Sequence, residues 1–157
     1  MSFVEFLEGT AIAVWVRESP SIFAYTFVLS LHAIGLAIVV GVSSVVGFRI
    51  VGAAQSIPLA PMSKLFPVMY LGFTINLISG LMLFAANASG MLANFLFYIK
   101  IVFVLATFVL MTLVHRRFDE PRGLRGLAYG MLGCWLIALI AGRLTAYPFF
   151  VRAWLGI

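Results

Sequence analysis

Charged residues in this chain fall in clusters, and the uncharged intervals between them are long. No Asp, Glu, Lys or Arg occurs between Glu18 and Arg49. Residues 21–47 therefore read as one apolar helix, and about 20 such residues cross a bilayer. The interval from Lys64 to Lys100 is also uncharged. It is too long for one crossing, and Asn87-Ala88-Ser89-Gly90 breaks it with turn-forming residues. The pattern predicts a second helix over 66–86 and a third over 91–114. A polar run from His115 to Gly126 follows, then a fourth helix over 127–147, which Pro148 stops. The expected fold is all-α, an integral membrane four-helix bundle forming a single transmembrane domain over 1–157.

The segment before the first span has a different texture. Phe3, Phe6, Leu7 and Trp15 alternate with Glu5, Glu8 and Arg17, as in a short helix lying in the membrane interface. With no basic leading region, and with acids inside its apolar stretch, it does not read as a cleavable signal peptide. Composition agrees with a membrane class: 64% of the 157 residues are hydrophobic and 10% charged, against roughly 25% charged in soluble domains. Too little polar surface remains to coat a water-facing fold. One cysteine, Cys134, rules out an internal disulfide and a Cys-rich metal site; in its apolar run it reads as a small buried hydrophobe.

The net charge of +5 reports topology rather than nucleic-acid binding. The loops joining spans one to two and three to four hold Arg49, Lys64, Arg116, Arg117, Arg122 and Arg125. The opposite side has Arg17 and Arg152, no cation in the 87–90 turn, and the acids Glu5, Glu8 and Glu18. The positive-inside rule then places both termini outside, in the periplasm if the cell is Gram-negative.

Candidate chemistry lies where polar groups enter the spans. His32 falls about 11 residues into the first helix, roughly 16 Å from its outer edge at 1.5 Å per residue. Lys100 falls roughly 13 Å into the third helix, Arg143 one turn from the end of the fourth, and Tyr147 four residues further on the same face. Asn76, near the middle of the second helix, reads as an interhelical hydrogen bonder. Ionisable groups in membrane segments mark functional sites by default. No acid lies inside any span, so the cations at depth lack a partner there, and the missing anion is read as a ligand. Haem b supplies one: its iron takes an imidazole and its propionates take cations and hydroxyls. His32 is the expected axial ligand, and Gly35, one turn on, the bare patch for the macrocycle. Lys100, Arg143, Tyr147 and Tyr25 are the expected donors to the propionates. His115 belongs to the basic inner loop, roughly 14 Å from the level of His32, so one chain cannot clamp one iron between two histidines. The competing reading makes His32 a structural hydrogen bonder, the glycines packing contacts, and the cations snorkelling groups.

The segments VRESPSIFAYTFVLSLHAIGLAIVVG, GFTINLISGLMLFA, NFLFYIKIVFVLA and AGRLTAYP together resemble a family of small four-helix bacterial inner-membrane proteins. Its most specific pieces here are His32 with Gly35, the Lys100 segment, and Gly142 to Tyr147. The resemblance implies the fold and the location. The chain is more loosely similar to b-type cytochromes of the b561 sort, from which it departs by lacking paired histidines. The function expected is a haem b-binding redox or electron-transfer subunit. The alternatives are a non-catalytic accessory or assembly subunit of a larger membrane complex and, behind it, a small transporter. No acid/base pair, nucleophile triad or phosphate loop is visible, so an independent enzyme is not expected. Expected partners are membrane lipid and either further copies of the chain or a larger membrane complex.

Overall fold

A computed structural model of the chain describes residues 2–53, 55–119 and 123–147. The stop expected at Pro148 and the cations Arg122 and Arg152 lie outside them. The described residues are all-α, with seven helices: α1 (Phe3–Glu8), α2 (Ala11–Glu18), α3 (Tyr25–Val51), α4 (Phe66–Ala86), α5 (Ala88–Leu92), α6 (Phe95–Arg116) and α7 (Leu124–Leu144). A 3-10 helix, Ala60–Leu65, leads directly into α4. Four segments are long and apolar enough to cross a membrane: α3, the 3-10 helix continued by α4, α6 and α7. The chain is a multi-pass membrane protein.

Local chemistry explains where the helices begin and end. The first span starts at Tyr25 rather than Ser21. Ser19 and Ser21 spend their hydroxyls on the amides of Ser21 and Phe23, which holds the preceding residues in a turn instead of a helix. The span continues past Gly47 because that glycine is a packing position, and it stops at Gly52. There φ is +109°, and the Ala53 amide bonds back to Phe48, closing the last turn as a left-handed glycine does. The single interfacial helix expected at the N-terminus is two, α1 capped by Ser2 in a capping box with Glu5 and α2 capped by Thr10. The turn expected at 87–90 is only a break at Asn87. Five residues of helix follow before Asn94 caps α6 through the Leu96 amide.

Packing divides the chain into two compact units. One comprises Met1–Gly41 and Pro67–Ala93, the other Val42–Phe66 and Asn94–Ile157. In the first, the start of α3 runs antiparallel to α4: His32 meets Gly80, Gly35 meets Gly72 and Asn76, and Ile38 and Val39 meet Gly72. Val16 of α2 joins Val28, Leu83 and Ala86 in its core. In the second, α6 and α7 run antiparallel, with Asn94 bonded to Thr145, Lys100 against Gly142 and Leu110 against Gly130. The tail of α3 packs there too, Gly47 on Met131 and Leu132 and Ser43 on the Met111 sulfur.

Candidate functional site

The polar group of the first unit centres on His32. It lies seven residues inside α3, roughly 10 Å from the start of that helix, shallower than the predicted start implied. Its neighbour Asn76 is ten residues from the end of α4, roughly 15 Å. Imidazole Nδ1 is 3.0 Å from the backbone oxygen of Asn76 and 3.2 Å from the Ser79 hydroxyl. A carbonyl oxygen only accepts, so Nδ1 carries the proton and donates to it. The Ser79 hydroxyl donates in turn to Ile75 at 2.6 Å, which leaves its oxygen able to accept from His32. The Asn76 side chain closes the circuit by donating Nδ2–H to the His32 carbonyl at 2.9 Å. The imidazole N–H, the Ser79 hydroxyl and one Asn76 amide N–H thus each have an acceptor, as burial in hydrocarbon requires.

The Asn76 carbonyl selects the tautomer with the proton on Nδ1, which leaves the lone pair on Nε2. The Asn76 amide nitrogen lies 3.3 Å from Nδ1 and 3.5 Å from Nε2, long contacts by hydrogen-bond standards. An Nδ1–H held by a carbonyl is the usual outer support of a metal-ligating histidine. The same bonds also knit two membrane helices together, so the arrangement serves either role. The ring is half-buried.

The glycines have a definite job. A Cβ on Gly35 would stand 2.6 Å from the Asn76 nitrogen and 2.9 Å from the Gly72 oxygen. One on Gly72 would stand 2.6 Å from the Ile38 side chain, and one on Gly80 3.0 Å from His32 Cε1. The patch expected at Gly35 to receive a macrocycle is taken up by the α4 backbone. Gly35 instead brings α4 close enough for the His32–Asn76 bonds to form. Tyr25 stands exposed in the first turn of α3, two turns before His32.

Lys100, Arg143 and Tyr147 belong to the second unit. Half-buried Lys100 lays its methylene stem on Gly142, whose Cβ would meet Lys100 Cδ at 3.4 Å. Exposed Arg143 donates from Nη2 to the Tyr147 hydroxyl at 2.9 Å, and its guanidinium carbon lies 5.1 Å from the Tyr147 ring centre. His115 is exposed beside Arg116 and Arg117 and stacks on Phe66, ring centres 4.2 Å apart. Among the described residues no three His, Cys, Asp or Glu side chains gather closely enough to hold a metal ion.

Two polar features escape the pattern of hydrophobic and polar positions. Ser79 is signalled only by its spacing, three residues after Asn76 on one helix face. The other joins the N-terminal helices to the α4–α5 break. Glu8 accepts from the Ser89 amide and hydroxyl, both at 2.7 Å, and Arg17 donates to the Ala86 carbonyl at 3.4 Å and the Glu8 carbonyl at 3.3 Å. An anion meets the start of α5 and a cation the end of α4, each the sign that helix end prefers. Hydrogen bonds from the Ser89 amide and hydroxyl, with Arg17 nearby, hold the Glu8 carboxyl below its ordinary range. Comparison with protein-family models, with curated proteins and with solved structures finds no match.

Proposed function

We propose that this chain is a haem b-binding redox subunit of a bacterial inner membrane, with His32 as the axial ligand. The observation that supports it is the imidazole of His32, held as the Nδ1–H tautomer by the Asn76 carbonyl and Ser79 hydroxyl, with its Nε2 lone pair as the ligating atom. When bound, haem supplies one-electron chemistry. The protein's part is to fix the ring and exclude water with the apolar faces of α3 and α4. One such imidazole per chain goes with a five-coordinate iron or with a sixth ligand from another subunit. We place both termini in the periplasm, following the cations of the 1–2 and 3–4 loops, and expect further copies or a larger complex as partners.

A second reading is favoured by the closed glycine seam. There the His32–Asn76–Ser79 network is purely structural and the chain is an accessory subunit. Visible absorption and haem content of protein extracted in mild detergent separate the two. The haem reading predicts a Soret band in wild type and in His115→Ala, lost in His32→Ala while the variant still inserts. Wild-type protein without haem, or a His32→Ala variant with an unchanged spectrum, gives the accessory reading.

A further inference from the structure

The second unit has its own unanswered charge. The Lys100 ammonium makes no hydrogen bond or ion pair among the described residues, although the side chain is half-buried. Arg143 lies at the same level, because α6 and α7 are antiparallel and Lys100 packs on Gly142. The acid of this unit among the described residues is Asp119, 19 residues from Lys100 and roughly 28 Å along the helix direction. Asp119 therefore answers neither cation. An ammonium taken partly out of water without a counter-charge is costly, and the cost falls when an anion joins it.

Position narrows the class of anion. Lys100 follows the first residue of α6 by five positions, roughly 8 Å. Its stem lies over Gly142, and because helical side chains lean toward the N-terminus of their own helix, a lysine this near the start of α6 snorkels toward the headgroup level. Arg143, one residue from the end of α7, brings a planar donor, and Tyr147 brings a hydroxyl already bonded to it. A guanidinium, an ammonium and a phenol at headgroup depth match a phosphate oxyanion.

We infer that Lys100, Arg143 and Tyr147 form a phosphate-binding corner at the membrane interface, filled by a lipid phosphodiester or by free phosphate. The inference does not rest on the haem reading, which concerns the other unit. Native mass spectrometry of the full chain with added phosphatidylglycerol tests the lipid source. Broadening of the inorganic phosphate signal in 31P NMR tests the free one. Lys100→Met and Arg143→Leu should each weaken retention about tenfold, the scale of one charge-assisted hydrogen bond. Lys100→Arg should restore it, and Arg125→Gln, at the start of α7, should leave it unchanged. Loss in the first assay identifies lipid, and loss in the second alone identifies free phosphate. Equal retention by wild type and by folded Lys100→Met in both assays overturns the inference. Loss of haem by Lys100→Met without loss of lipid or phosphate overturns it too, in favour of a propionate.

Discussion

Replacing Gly35 with alanine adds one methyl group where the structure has no space for it. The new Cβ would lie 2.6 Å from the Asn76 nitrogen and 2.9 Å from the Gly72 oxygen. Both are backbone atoms of α4, so no side chain can swing aside. Reaching an ordinary contact near 3.4 Å means opening the seam by about 0.8 Å. That would stretch the His32–Asn76 bonds from 3.0 and 2.9 Å beyond hydrogen-bonding range. Overpacking costs about 1–3 kcal/mol, and each interhelical hydrogen bond in a membrane about 0.6 kcal/mol on average, so Gly35→Ala should lose about 2–4 kcal/mol. Gly41, also in α3, has nothing within 4 Å of its would-be Cβ. Gly41→Ala should therefore gain up to about 1 kcal/mol from helix propensity alone. Reversible unfolding of the full chain in mixed micelles, titrated with denaturing detergent, measures both. Equal stability of the two variants would refute the close α3–α4 approach.

Other outcomes follow from the helix ends and the N-terminal clamp. Because the Glu8 carboxyl is held below the ordinary glutamate value of 4.5, the clamp on Ser89 should be fully present above that pH. It should weaken as pH falls through the lower folded value; exchange of the Ser89 amide should accelerate there, and Glu8→Gln should remove that dependence. Asn94→Ala removes the cap on Leu96 and the bond to Thr145 and should cost about 1–2 kcal/mol in the same unfolding assay. His115→Ala loses the stack on Phe66, about 0.5–1.5 kcal/mol, with no change in cofactor content.

Helix number and class were legible because uncharged intervals longer than a bilayer crossing leave the chain little choice. The α-helix of the second span runs where the pattern put it, from Phe66 to Ala86, with a 3-10 turn from Ala60 lengthening the span at its start. The first shifted by four residues at each end, since apolar periodicity cannot tell a packing glycine such as Gly47 from a terminating one such as Gly52. The fourth begins three residues early because Leu124, inside the polar run, is buried. At the candidate site, His32 and Asn76 were visible as polar residues in apolar spans, but their pairing was not. It depends on the antiparallel register of α3 and α4, which Gly35 and Gly72 set through backbone contact. The clamp of Glu8 and Arg17 on the α4–α5 break was hidden too: apart from the Ser89 hydroxyl its partners are backbone groups, identical in every sequence.

Iron ligation by His32 is tested most directly by chemical rescue. His32→Gly leaves a void the size of the ring on a helix whose other contacts are untouched. This variant, extracted in mild detergent, should lose the Soret band of the wild type and regain it when free imidazole is added with haem. A variant that keeps the wild-type spectrum without imidazole, or a wild type that carries no haem, would contradict it.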